Sequence, residues 1–275
     1  MSKYLKLPSS TPKAGAAPQE VVKQLENLAV EYRSVDGVAY QVVPWGKGNK
    51  NLRRKVMLGS PSHSGQLDVE YAMSVINAIR ACAEENIDLI PVWVSFDALV
   101  QRARNDLVRL AVESKVDDLL MVDTDQIFTE KQVLRILSHK VDCVGAAVPK
   151  KSEKEERYNV RSSTVNIPVN DRNGLMVVDG VGTGFLRLTK HALVTIWASS
   201  EEYEDNGRKS RMVFDVKVLN GILCGEDILF CAKLHKLGFD IHLDPTFTVD
   251  HVGRKVFQGD FSAYLSALVA GKEAK

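Results

Sequence analysis

Two rhythms of apolar residues alternate along this chain: a helical one of 3.6 residues, and short continuous runs of the kind a doubly buried strand makes. KVMLGSPS predicts a strand ending in Ser60 and Pro61. Val69 to Cys82 carries apolar residues at helical spacing, PVWVSF reads as a strand, and Leu99, Ala103, Leu107, Val108 and Ala111 mark one face of a second helix. DDLLMVD is a short strand apolar on both sides, as central parallel strands are. FTEKQVLRILSHK is a helix opened by a capping box, Thr129 with Gln132, and VDCVGAAVP is a further strand. Such alternation predicts an α/β fold, a sheet with helices on both faces. Open sheets of this type bind ligands outside the carboxyl ends of their strands, and DTD falls there.

After residue 150 the pattern loosens. KKSEKEERYNVRSS reads as a charged loop, and LMVVDGVGTGFLRL as two short strands around a glycine-rich turn. TKHALVTIWASS is a helix with Thr189 as N-cap. CGEDILFCAKLHKLG is a helix with Gly225, Glu226 and Asp227 at its start and Gly238 as its stop. FDIHLDP and TFTVDHVG follow as strands. At the other end, residues 1–20 are rich in Pro, Ser, Ala, Gly and Lys and read as a flexible arm. Residues 21–55 read as a helix, with Val22, Leu25, Leu28, Ala29 and Tyr32 on one face, followed by a basic loop. Residues 56–275 then form the compact domain.

Composition narrows the classes. The 275 residues are 45% hydrophobic and 26% charged, enough for a sizeable core. Net charge is +1, so contact with nucleic acid would rest on local basic stretches such as KGNKNLRRK, PKK and GRKSR. Four scattered cysteines make no CxxC pair, which fits a reducing cytoplasm better than a disulfide framework. The first residues lack an apolar signal region, and no run approaches the ~20 apolar residues of a membrane span. A cytoplasmic protein without membrane association is the expectation.

Five features could carry chemistry. In an extended chain Asp123 and Asp125 project the same way, and two carboxylates so close repel unless a cation joins them. Oxygen ligands of this type suit Mg²⁺ or Mn²⁺ with substrate phosphates, although a solvated turn gives the same pattern. Glu226 and Asp227 offer a general base, or simply suit a helix dipole. Gly180-Val181-Gly182-Thr183-Gly184 permits close approach of a ligand, or makes a tight hairpin. His251 is either a structural residue or a partner of DTD on a metal. Arg102, Arg104 and Asn105, in VQRARND, are the last: Arg102 and Asn105 share a helix face away from the apolar one, where a guanidinium suits a diphosphate and a solvated surface is the plainer reading.

The order of these features, SP, ARN, DTD, GTGF, GED and a late His, resembles the GT-A glycosyltransferases over about residues 56 to 258, and in particular short phage-encoded members. That resemblance implies a Rossmann-like, mixed, mostly parallel sheet flanked by helices. It implies transfer of a sugar from a nucleotide-sugar donor, a UDP-sugar being favoured, with Mn²⁺ or Mg²⁺ as cofactor. Asp123, Asp125 and His251 are similar to the metal ligands, with Asp123 also near the ribose. Ser60, Pro61, Arg102 and Asn105 look like parts of the nucleotide pocket, and Gly182, Thr183 and Gly184 like the lining of the sugar and acceptor site. Asp227 looks like the base of inverting members, with Glu226 beside it; Gly225 is a mild departure from the residue usual there. For phage-like members the implied acceptor is a modified, hydroxymethyl-type pyrimidine in DNA, flipped from its stack. A glycan or small-molecule acceptor is the alternative. Outside this class stand a haloacid dehalogenase-like phosphatase, whose nucleophilic Asp usually lies nearer the domain start, and a non-catalytic sugar-nucleotide or nucleic-acid binding module.

Overall fold

A computed structural model describes residues 31–35, 38–42 and 53–270, apart from 153, 154, 165, 166, 171, 206, 254 and 255. The chain divides into two compact units, Met1–Pro44 and Trp45–Lys275. In the first, strands β1 (Glu31–Val35) and β2 (Val38–Val42) form an antiparallel hairpin. Tyr32, expected on a helix face, therefore lies in a strand. The expected arm and the rest of that helix lie outside the described residues.

The second unit begins with β3 (Arg54–Ser62), α1 (Val69–Glu84), β4 (Ile87–Ser95), α2 (Val100–Glu113) and β5 (Asp118–Val122). Then come β6 (Gln126–Ile127), α3 (Glu130–Ser138), β7 (Cys143–Ala147), β8 (Val160–Arg161), β9 (Met176–Val178), β10 (Gly180–Val181) and β11 (Phe185–Thr189). After α4 (Lys190–Ser199) stand two hairpins, β12 (Glu202–Asp205) with β13 (Arg208–Arg211) and β14 (Lys217–Leu219) with β15 (Ile222–Cys224). The unit ends with α5 (Glu226–Lys236), β16 (Ile241–Thr248), β17 (Asp250–Val252), β18 (Val256–Phe257) and α6 (Phe261–Val269).

The central sheet has seven strands in the order β4-β3-β5-β11-β7-β16-β9. Strands β4, β3, β5, β7 and β16 run one way, while β11 and β9 run against them. It is a mixed, mostly parallel sheet flanked by helices, the fold class the sequence predicts. Its two faces are separated by the period of the strands. Val56, Leu58, Leu120, Val122, Val144 and Ala146 pack with α1 and α3 in one core cluster. The intervening residues face α2: a Cβ on Gly59 would meet Leu107 and Leu119. Each fully buried Leu, Val, Ile or Phe in these layers contributes ~1.5–3 kcal/mol.

Local signals hold where they are strong. The capping box forms, with Thr129 accepting from the Gln132 N–H and Gln132 accepting from the Thr129 N–H. Thr189 accepts from the Ala192 N–H and opens α4. Gly238, at φ +85°, ends α5 in the left-handed conformation. Among the described residues no helix is long and apolar enough to cross a membrane.

Strand β3 is flanked by β4 on one side and β5 on the other, because the chain crosses one face through α1 and returns over the other through α2. The crevice beyond the carboxyl ends of β3 and β5 is therefore the topological switch point of the sheet.

Asp244, fully buried on β16, fastens α3 to the sheet. It accepts from Arg135 Nε at 2.6 Å and from Thr246 Oγ1 at 2.6 Å, and lies 2.8 Å from His139 Nε2. Burial opposes its charge, but these bonds, led by that from Arg135, outweigh it and hold the carboxyl below its ordinary range. Stability from this group is thus present above pH ~4 and lost as pH falls through the depressed folded value. Asp244→Asn should cost about 1–3 kcal/mol at pH 7 and flatten the acid limb of the urea-unfolding profile. An acid limb unchanged in the variant would contradict the assignment.

Candidate functional site

The DTD turn is built by the end of β5. The Asp123 N–H donates to the Gly184 carbonyl at 3.0 Å, and the Gln126 N–H returns to the Asp123 carbonyl at 3.1 Å. Gly184 packs closely here, since a Cβ would lie 3.0 Å from Asp123 Oδ2 and crowd that carboxylate. Beyond the turn, β6 pairs with β17 so that His251 stands opposite Gln126, and the Val252 N–H donates to the Asp125 carbonyl at 2.7 Å. This short ladder brings His251 Nε2 to 3.2 Å from Asp125 Oδ2.

The other ring nitrogen, Nδ1, lies 2.8 Å from the Pro149 carbonyl. A carbonyl only accepts, so Nδ1 carries a proton. In the neutral ring Nε2 then presents a lone pair toward a carboxylate, an arrangement that a cation on that side resolves. Lys151 Nζ also lies on Asp125 Oδ2, at 2.6 Å. Burial works against the Asp125 charge, but bonds from His251 with both ring nitrogens protonated and from the Lys151 ammonium outweigh it and hold the carboxyl at about 2.

Asp123 has a different partner. Arg104, on α2, is 6% exposed and places Nη2 at 2.9 and 3.2 Å from the two Asp123 oxygens. Its Nη1 donates to Glu226, at the start of α5. Burial lowers the guanidinium pKa, but Asp123 and Glu226 more than offset this and hold it above the ordinary value. One buried cation thus joins the DTD turn to the GED helix.

Two cavities are relevant: the bridge itself lines one, and the other holds Asp227, the residue after Glu226. The first, about 230 Å³, is lined by Pro61, His63, Asp97, Arg104, Asp123 and Asp125, among others. The second, about 310 Å³, contains Asp227 with Lys150, Tyr158, Arg161, Asp179 and His235. Asp227 Oδ1 accepts from the Ile228 N–H at 2.7 Å, which leaves Oδ2 for other partners. The GTG segment runs between the cavities. Gly184 abuts Asp123, and Gly182 abuts Asn159, a lining residue of the second cavity. Among the described residues, three buried polar atoms at this place, Thr183 Oγ1, Gln126 Oε1 and Arg104 Nε, find no hydrogen-bond partner.

The remaining expected residues are placed otherwise. Ser60 is fully buried and bonded to the Tyr71 hydroxyl at 2.6 Å, beneath the first cavity's Pro61. Arg102 is paired with Asp97 at 2.8 Å, at the edge of the same region. Asn105, expected away from the apolar face of its helix, is buried; its amide clamps both backbone groups of Phe214. Phe214 in turn stacks on Phe230 of α5, with centroids 4.4 Å apart. Asn105 therefore positions the helix that carries Glu226 and Asp227. Lys151 is the contact that the sequence did not single out; Arg104 lies in the VQRARND stretch that it did, but its two carboxylate partners are set by the fold. The available signal for Arg104 was its position three and four residues before Leu107 and Val108, a charge on an inward flank that demands a buried carboxylate.

Among the described residues no group of three or more His, Cys, Asp or Glu side chains is set to hold a metal ion. Asp125 and His251 are brought together, whereas Asp123 is turned to Arg104.

No protein-family model matches the chain, and no curated protein matches it. Among solved structures it is similar to A197 from STIV, with 18% identity and a TM-score of 0.46, over 75% of this chain and 95% of that one. It is also similar to a glycosyltransferase involved in the glycosylation of the major capsid of PBCV-1, with 9% identity and a TM-score of 0.30, over 52% of this chain and 65% of that one. Likenesses this distant assign no activity.

Arg104→Met removes the cation between two half-buried carboxylates and should destabilise the protein by about 2–4 kcal/mol at pH 7. Arg104→Lys, with one compact ammonium in place of a fork, should restore only part of this. Urea unfolding measures both; a loss below about 1 kcal/mol for Arg104→Met would contradict the bridge.

Proposed function

We propose that this protein is a glycosyltransferase that moves a sugar from a nucleotide-sugar donor to an acceptor hydroxyl. The observation that carries the reading is the Arg104 bridge, which lines the first cavity and holds on one guanidinium a carboxylate of the DTD turn and Glu226, the neighbour of the second cavity's Asp227. Two pockets, one at the switch point and one holding the Asp227 carboxylate, suit a donor and an acceptor.

The donor diphosphate would lie in the first cavity, with Pro61 and Ala98 as apolar walls for its base. Asp125 and His251 fit a divalent Mn²⁺ or Mg²⁺ ion: their donor atoms face each other, and such ions complete their shells with waters and substrate phosphates. When bound, the ion would offset charge on the departing diphosphate. Asp123 is held by Arg104 at a distance from this pair and would orient the donor's ribose. Thr183, whose buried hydroxyl has no partner among the described residues, is available to the transferred sugar.

In the second cavity Asp227 Oδ2 would take the proton of the acceptor hydroxyl. The hydroxyl oxygen then attacks the anomeric carbon as the diphosphate leaves from the opposite side, so the configuration inverts. Glu226 does not share this role, since its carboxylate is bonded to Arg104.

A modified pyrimidine in DNA is the acceptor suggested by the resemblance to phage-encoded members. Of the basic stretches that would meet phosphates, Arg53 and Arg54 are paired with Asp88 and Asp118, and Arg208 and Arg211 with Asp106 and Glu202. Lys150, in the Asp227 cavity, is the better-placed cation for such an acceptor.

Asp227→Asn should lower kcat about 10²–10⁴-fold while leaving donor affinity by calorimetry near that of the parent. Near-normal turnover in this variant would overturn the assignment of the base.

A further inference from the structure

Lys151 has no task in the mechanism above, yet it makes one of the shortest contacts to the DTD turn. Its ammonium lies 2.6 Å from Asp125 Oδ2, the oxygen that faces His251 Nε2 at 3.2 Å. The Lys151 side chain is 37% exposed and that of Asp125 33%, so the pair stands at the border of solvent, where an ammonium can leave without stranding itself. The backbone around it is pinned. The Pro149 carbonyl holds His251, the Lys150 N–H donates to the Arg157 carbonyl at 2.7 Å, and the Ser152 N–H donates to the Lys150 carbonyl at 2.7 Å. Any departure is thus a change of side-chain rotamer on a four-carbon stem.

The charges explain why such a residue is useful. Arg104 neutralises Asp123, and without Lys151 the half-buried Asp125 would face only a histidine. A divalent ion held by Asp125 and His251 would stand within a few ångströms of the ammonium and repel it. The group of opposite sign nearest to hand would then be the donor's diphosphate. We propose that Lys151 is a tethered counter-ion: it fills the cation position at Asp125 until a divalent ion displaces it, and then moves onto the donor's diphosphate. The second half of this inference rests on the donor-site reading; the first rests on Asp125, His251 and Lys151 alone.

The test is calorimetry on the full chain. MnCl₂ alone is titrated into the parent, Lys151→Met, Lys151→Gln and Asp125→Asn, and uridine diphosphate is then titrated at saturating Mn²⁺. Both Lys151 variants should bind Mn²⁺ about threefold to tenfold more tightly than the parent, because a competing charge is gone, and Asp125→Asn should lose binding. Uridine diphosphate should bind the Lys151 variants about threefold to tenfold more weakly. Unchanged or weaker Mn²⁺ affinity in both variants, or no Mn²⁺ binding by any of the proteins, would overturn the competition. Tighter Mn²⁺ with unchanged diphosphate affinity would overturn the second half. Tighter Mn²⁺ with no diphosphate binding to the parent would count against the donor-site reading and leave the competition standing.

Discussion

A guanidinium withdrawn from water is tolerable only where carboxylates meet it, and Arg104 meets two. Neither is close in sequence: Asp123 follows β5, and Glu226 opens α5 after two hairpins. The chain between them must fold so that both arrive at one helix. Arg104 is therefore a constraint on the tertiary structure as much as a member of the site. Asn105, the next residue, adds a second tie by clamping Phe214 against α2, and Phe214 hands the constraint on to α5 by stacking on Phe230. Two successive residues of α2 thus set where Asp227 stands relative to the DTD turn.

The sheet supplies the other half of the geometry. Strands β3 and β5 end at the same edge, and antiparallel β11 begins there, so Pro61, Asp123 and Gly184 converge without any long loop. Antiparallel β11 is what places the GTG turn beside DTD; a parallel strand in its position would begin at the far edge. The β6–β17 ladder then brings His251 in from the end of the chain. Charges at the site are paired by the protein itself, Asp123 with Arg104 and Asp125 with Lys151 and His251.

Much of the fold is legible in the sequence because it is local. The apolar run of β5, the Thr129–Gln132 box and the Gly238 stop each depend on a few neighbouring residues. The contact between Asp125 and His251 depends on strand register, which no spacing reveals; only the resemblance to a known class joins them. The face of α2 is misread for a physical reason. The helix is covered by the sheet, by α4 and by β13, so Arg104, Asn105 and Arg109 are all buried and a single apolar stripe does not describe it. The GRKSR stretch reads as a phosphate-binding loop but folds into β13, where Arg208 and Arg211 are turned to Asp106 and Glu202. Short exposed strands such as β14 and β15 carry almost no burial pattern, and so leave no periodic signal.

The proposed donor site would place a nucleotide diphosphate between Asp125, His251 and Pro61, outside the Asp227 cavity. A crystal structure of the protein with uridine diphosphate and Mn²⁺, with the anomalous signal of manganese recorded, tests it most directly. The expected result is one manganese peak within coordinating distance of Asp125 and His251 and beside the diphosphate, with Arg104 still on Asp123 and Glu226. A nucleotide seated elsewhere, or manganese away from Asp125, would contradict it.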